Sequence, residues 1–388
     1  MSTATHAHEA PAPAGGKLVT PVTFFLFVMC LGALGVLIYR FIFGLGAATN
    51  MNNGYPWGLW IAWDVVTGSA LAGGGFSTAL LVYILNRGEY HPIIRPALVA
   101  ALMGYVQAAL SVMFDLGRWW DFWHIFWPTY AQINSVLFEV AVCIGAYTFI
   151  LMIELLPAVA ERFKWENFRR RANRVLFIFV AIGVLLPMMH QSSLGTLLVV
   201  FGPQIHPLYQ SNFLPLLFLS STIGMGYAAV TIEGAVSSMG LRRPFEKEIL
   251  AKLLAIGKYL GLFYLVLRFG DLIWRGAIGY AFKPSVVMVT FWIENLLFAL
   301  PLLLLRGEHR TKAKSIFQSA MALALAGIMY RLDAFLVAYD TGAGWHYFPS
   351  LGEMTVTAGL IAFEVLAIIL AIRLLPILPA VPGSTSRT

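Results

Sequence analysis

A chain of 388 residues that is 59% hydrophobic and 12% charged carries about half the charge of a soluble domain, so a water-soluble class is excluded and an integral membrane protein is implied. Its two cysteines, Cys30 and Cys143, exclude a disulfide scaffold, a four-cysteine zinc site and an iron–sulfur cluster held by four thiolates of this chain. The net charge of +7 comes from short basic clusters between apolar runs, which fits membrane topology better than a nucleic-acid face.

Residues 1–20 are rich in Ala, Pro, Gly and His with no apolar core, and read as a disordered tail, not a cleaved signal. A crossing needs about 20 apolar residues. On that measure spans are expected near 21–43, 57–85, 97–117, 134–157, 175–192, 212–238, 250–271, 284–305, 315–336 and 352–375. The stretch from Arg174 to Glu233 is uncharged and too long for one crossing, which places a turn near His190 to Ser211. Of the 26 Lys and Arg residues, 20 fall in one set of alternating connections and 6 in the other, so both termini are expected on the cytoplasmic side. The aromatic connection from Trp119 to Tyr130 reads as an interfacial belt, or as the wall of an entrance for a flat lipid-soluble ligand.

An internal repeat is expected. Gly117 and Gly270 end similar spans, Glu139 and Glu294 follow at similar places, and the separations are 153 and 155 residues. The chain then divides into a tail (1–20), a first span and outer loop (21–56), two parallel four-helix units (57–211 and 212–338), a last span (339–375) and a second tail (376–388). The fold class is all-α integral membrane with about ten transmembrane helices.

Ionisable side chains inside hydrocarbon are functional candidates by default. Asp115, Arg118, Glu139, His190, Arg268, Asp271, Arg331 and Asp333 all lie within two or three turns of the outer face, and Asp64 lies about 10 Å below it, counting 1.5 Å per residue. Asp115 with Arg118 and Arg268 with Asp271 are spaced to share a helix face as ion pairs, and Arg331 and Asp333 are expected to pair across helices. Glu154, Glu233, Glu294 and Glu364 lie deeper or toward the inner half, as carboxylates of a proton path or as packing groups. No metal site is expected. His190 is the one histidine expected on a span, so a haem between two facing imidazoles, and hence any haem, is not expected. What fits instead is a site for a quinone, for which His190, Gln191 and the hydroxyls of Ser192 and Ser193 offer an imidazole, an amide and donors.

The strings Asn53–Asp64, Asn86–Pro92, Asn134–Glu139 and Leu186–Ser193, followed by Arg268–Asp271 and Arg373–Pro379, resemble HybB-type membrane subunits of periplasm-facing [NiFe] hydrogenases. These lie within the wider NrfD or polysulfide-reductase membrane-subunit family. The resemblance implies a ten-helix subunit of the bacterial inner membrane that anchors the hydrogenase small and large subunits through a ferredoxin-like iron–sulfur subunit and reduces menaquinone or ubiquinone near the periplasm. It implies site roles for His190, Asp115, Arg118, Glu139 and Asp64. On this reading His190 hydrogen-bonds a quinone carbonyl and supplies a proton, Glu139 and Asp115 relay protons, and Arg118 stabilises the reduced anion or orients Asp115. The rival readings are a same-family subunit of a polysulfide or other quinol-linked reductase and a secondary transporter.

Overall fold

In the computed structural model the described residues are 11–379 with the exception of 242 and 343. Among them ten helical spans are long and apolar enough to cross a membrane. Helix α1 (Pro21–Phe43) starts at a capping box in which Thr20 and Thr23 satisfy one another's backbone donors, with Pro21 in the first turn where no N–H is needed. A short α2 (Leu45–Ala48) follows. The second span is broken: a π-helical segment Trp60–Thr67, α3 (Gly68–Leu71), a turn, α4 (Gly74–Ala79) and a second π segment Leu80–Ile84. The others are α5 (His91–Asp115), α6 (Val136–Arg162), α7 (Glu166–Val200), α8 (Leu214–Leu241), α9 (Lys247–Trp274), α10 (Val286–Leu304), α11 (Ala313–Leu332) with a π-helical end Asp333–Val337, and α12 (Leu351–Leu374).

The largest departure from the expected spans is α7, which runs to Val200 and not to 192. Gln191, Ser192 and Ser193 read as the start of a polar loop, yet they continue the helix. Ser192 and Ser193 donate to Met189 O at 2.8 and 2.9 Å and Thr196 donates to Ser192 O at 3.1 Å, so the hydroxyls are satisfied by their own helix. His190 therefore sits about 15 Å from the C-terminal end of α7 at 1.5 Å per residue.

Helix α6 packs along α7, α8 along α9, α10 along α11, and α1 along α12, while α7 and α11 both reach α8. The main apolar core extends from Trp57 to Ile377, and two smaller clusters form around Tyr90 and Tyr227 and around Leu37, Trp60 and Val356. Where the broken span meets α8 the backbones touch: a Cβ on Gly226 would lie 2.6 Å from Gly73 C and Gly74 N. Such contact needs residues without side chains, and in lipid it replaces the hydrophobic drive that helices have in water. The outward face of α1 remains a row of exposed Val, Phe, Leu and Ile, a surface for lipid.

Of the expected tails, residues 1–10 and 380–388 lie outside the described residues, as do Arg242 and Arg387 of the basic count. The adjoining residues are tied down: β1 (Pro11–Ala12) pairs antiparallel with β2 (Leu378–Pro379), and Ala14 N donates to Ile372 O at 3.0 Å.

Candidate functional site

The glycine crossing brings four helices to one polar junction. One turn before Gly73 stands Ser69, and one turn before Gly226 stands Thr222; α7 supplies His190 and Gln191 and α11 supplies Arg331. Ser69, His190, Gln191, Thr222 and Arg331 are all fully buried. Ser69 Oγ lies 3.0 Å from His190 Nε2, and Gln191 Nε2 donates to the same Oγ at 2.9 Å. Gln191 Oε1 accepts from Thr222 Oγ1 at 2.8 Å and from Arg331 Nη2 at 3.3 Å. Arg331 also donates to Thr222 Oγ1 at 2.6 Å, Phe218 O at 3.2 Å and Ser221 Oγ at 3.2 Å. On its other side His190 meets the edge of Tyr105, whose ring packs against Tyr147 with centroids 4.6 Å apart. Four polar atoms here have no hydrogen-bond partner among the described residues: His190 Nδ1, Tyr105 OH, Tyr147 OH and Arg331 Nε. Buried groups without partners are uncommon, and a cluster of them is a place with hydrogen bonds to offer.

Asp64, in the π-helical segment, is a separate buried centre that accepts from Gln107 Nε2 and Thr357 Oγ1, each at 3.0 Å. Its electrostatic neighbour is Glu364, and Glu233 neighbours Glu364 in turn. Glu364 Oε1 rests over Gly104, 3.3 Å from where a Cβ would stand. Above Gln107 on the same face of α5 come Ser111 and Asp115, at helical spacing of four, and Gln107 Oε1, Ser111 Oγ and Asp115 Oδ1 lack partners among the described residues. Glu154 lies apart, beside Gly183 of α7.

Glu294 belongs to a third centre in the second half of the chain. It accepts from Tyr209 and Tyr264, each at 2.7 Å, and Tyr209 also reaches Asp333 at 3.0 Å. Arg268 lies 3.9 Å from Glu294 and is ringed by Tyr209, Tyr330, Phe291 and Tyr264 at 4.4 to 5.9 Å, an aromatic cage for a guanidinium.

These positions correct the expected ion pairs. Asp271 pairs with Arg275 four residues on, at 2.7 Å, and Arg268 turns inward to Glu294. Arg331 and Asp333 do not meet, because Arg331 points to acceptors on α7 and α8 while Asp333 takes the Tyr209 hydroxyl. Arg118 is exposed and makes no ion pair with Asp115 among the described residues. The cation near Asp115 is Arg40, which donates to Phe114 O at 2.8 Å and to Leu116 O and so closes the end of α5.

Asp115 ends α5 and Glu139 is in the first turn of α6, both nearer a helix end than His190, and among the described residues no hydrogen bond of His190 leads to either. The site expected around His190 therefore keeps His190 and Gln191, loses direct contact with Asp115, Arg118, Glu139 and Asp64, and gains Ser69, Thr222, Arg331 and Tyr105. Ser69 and Thr222 carry no sequence signal beyond their place before a glycine. Arg331 is legible as a membrane charge, but its spacing along the chain points to the wrong partner.

The sequence profile of the family described as "Polysulphide reductase, NrfD" matches residues 47–339. A relative from Escherichia coli strain K12, the probable Ni/Fe-hydrogenase 2 b-type cytochrome subunit, is 42% identical over 376 residues, 95% of each chain. The integral membrane subunit of menaquinone reductase from Nitratidesulfovibrio vulgaris is 27% identical over 376 residues, covering 87% of this chain and 86% of its own. A selenate reductase subunit from Mesobacillus selenatarsenatis is 32% identical over 93 residues, 24% of this chain and 20% of its own.

The name of the Escherichia coli relative, a b-type cytochrome subunit, overturns the expectation that no haem belongs to such a chain. Histidine counting carried that expectation, and haem iron has axial arrangements other than two imidazoles. As for fit, His91 stands at the first residue of α5, and His190 is the one imidazole within the body of a span among the described residues. Its Nε2 is engaged by Ser69, and its ring neighbours Tyr105 and not a second imidazole. A bis-histidine haem therefore does not fit at His190. The extent of the profile match and of the 42% identity decides the wider question: the chain is a multi-pass membrane protein that belongs to the polysulphide reductase NrfD family, whose relatives here are membrane subunits of oxidoreductase complexes.

Proposed function

We propose that this chain is the quinone-reactive membrane subunit of a hydrogenase complex in the bacterial inner membrane, with both termini cytoplasmic. Electrons reach its periplasmic face from a [NiFe] large and small subunit pair through a ferredoxin-like iron–sulfur subunit. Menaquinone or ubiquinone accepts two of them with two protons and leaves as quinol. The observation that carries this reading is the cluster of unpartnered polar atoms at His190 and Tyr105, buried among apolar side chains where the broken span, α7, α8 and α11 meet. A quinone carbonyl supplies the acceptor those atoms lack, and Arg331 supplies a fixed positive charge to the junction from behind the imidazole, through Gln191 and Ser69. The names of the hydrogenase 2 and menaquinone reductase relatives support the partner class and the substrate class.

Proton supply is the second part of the proposal. Asp115, Ser111, Gln107, Asp64, Glu364 and Glu233 descend from the outer end of α5 toward the inner end of α8, and water is needed to complete the bonds that Ser111 and Gln107 lack. This column, and not the set Glu154, Glu233, Glu294 and Glu364, is the route by which turnover moves protons. Glu139 serves at the outer end of α6 as an exchange group with the outer water.

His190→Ala in the purified complex is expected to abolish hydrogen-to-quinone electron transfer while reduction of an artificial dye by the hydrogenase pair is kept. Wild-type quinone reduction by that variant removes the assignment. Co-purification separates the reading from its rivals: a [NiFe] subunit supports it, a molybdenum enzyme points to another reductase of the family, and a chain without redox partners points to a transporter.

A further inference from the structure

We infer that Arg331, acting through Gln191 and Ser69, fixes the ring hydrogen of His190 on Nδ1 and so makes that nitrogen the donor offered to the quinone. Arg331 is a positioning residue in this scheme, and the inference rests on the reading of His190 as the group that meets the quinone carbonyl.

The argument follows donors and acceptors along one chain. A guanidinium only donates. Its Nη2 lies 3.3 Å from Gln191 Oε1, and Thr222 Oγ1, itself a partner of Arg331, lies 2.8 Å from the same oxygen. An amide NH2 in that place would set its hydrogens against those of the Arg331 guanidinium, so the Gln191 oxygen faces Arg331 and its nitrogen faces Ser69 at 2.9 Å. A hydroxyl has one hydrogen. Ser69 Oγ accepts from Gln191, and the neighbour left to receive its hydrogen is His190 Nε2 at 3.0 Å. Nε2 is then an acceptor, and a neutral imidazole that accepts on Nε2 carries its hydrogen on Nδ1. Nδ1 is fully buried beside Tyr105 and has no partner among the described residues. The polarity of the chain begins at Arg331 because every acceptor it holds there is neutral; no carboxylate lies within 4.0 Å of it among the described residues. A carboxylate in place of the Gln191 amide would accept at both ends and reverse the direction at Ser69.

The test is magic-angle-spinning NMR of the purified complex with ring-15N histidine, the His190 signals being those that vanish in His190→Asn. The wild type is expected to show a protonated Nδ1 and a bare Nε2. Gln191→Glu is expected to exchange them and to lower quinone reduction about 10²-fold, the scale of a misplaced acid–base group, with dye reduction by the hydrogenase pair kept. Ser69→Ala is expected to give both tautomers, and Ser69→Thr, which restores the hydroxyl, to return the wild-type spectrum. A wild-type hydrogen on Nε2, or a Gln191→Glu spectrum like the wild type, overturns the inference. The wild-type spectrum needs no variant to fold. If the wild-type hydrogen is on Nε2 while His190→Ala is inactive with quinone, only the inference falls; if His190→Ala reduces quinone normally, the reading of the site falls and the donor role with it.

Discussion

Gly226→Ala probes how the helix crossing builds the polar junction. The added Cβ would lie 2.6 Å from Gly73 C and Gly74 N and 2.8 Å from Gly73 O, all backbone atoms that no side-chain rotation can move aside. Carbon contacts become comfortable at roughly 3.5 Å, so α8 and the broken span must part by about 0.8 to 0.9 Å. Moving Ser69 away from α7 and α8 by that amount would stretch its bond with Gln191 Nε2, now 2.9 Å, beyond hydrogen-bonding reach. Overpacking of this kind costs about 1–3 kcal/mol. Gly270→Ala is the matched control, because nothing lies within 4 Å of its Cβ position and alanine favours a helix over glycine by roughly 0.5–1 kcal/mol. The assays are thermal unfolding of the purified complex and hydrogen-to-quinone electron transfer. Gly226→Ala is expected to lose in both and Gly270→Ala in neither. A Gly226→Ala protein as stable and as active as the wild type would show that the close approach does not position the junction.

Glu294→Ala leaves two tyrosine hydroxyls and the caged Arg268 without their acceptor, and is expected to destabilise the second half of the chain by about 3–5 kcal/mol, whereas Glu294→Gln costs less; thermal unfolding ranks the two. Arg331→Lys keeps the charge but cannot span Thr222, Phe218 and Gln191 together, so quinone reduction is expected to fall well below wild type with the complex still assembled, as judged by co-purification. Glu364→Gln should reduce proton movement per quinol in proteoliposomes carrying an internal pH dye; unchanged movement would exclude the Asp64–Glu364–Glu233 column as the route. In the connection after α7, burial lowers the His206 pKa below the usual histidine value, a tendency that Asp340 opposes and Lys283 reinforces. The unfolded chain therefore binds a proton more readily than the folded one, so stability should decline as pH drops below about 6.5, and His206→Gln should flatten that part of the stability profile.

Ten spans could be read from the sequence because hydrocarbon admits few charges and requires about 20 apolar residues per crossing, a constraint that acts on each segment alone. The same constraint misplaced the end of α7. It treats Gln191, Ser192 and Ser193 as polar, although on a helix the serine hydroxyls can bond to the preceding turn and the Gln191 amide to neighbouring helices. His190 was legible as an unusual membrane imidazole, and Gln191 as its neighbour. Their partners were not, since Ser69 and Thr222 are ordinary residues until the Gly73–Gly226 contact sets them opposite one another.

The linear chain thus determined the membrane class, the number of crossings and the family, each of which depends on composition along single segments or on ordered strings. Partnership among the buried charges was decided only by the tertiary structure. Arg268 chose Glu294 over Asp271, and Arg331 chose neutral acceptors over Asp333. The physical reason is that a buried guanidinium takes the acceptors that neighbouring helices present at its depth, and helical spacing alone says nothing about which helix stands opposite.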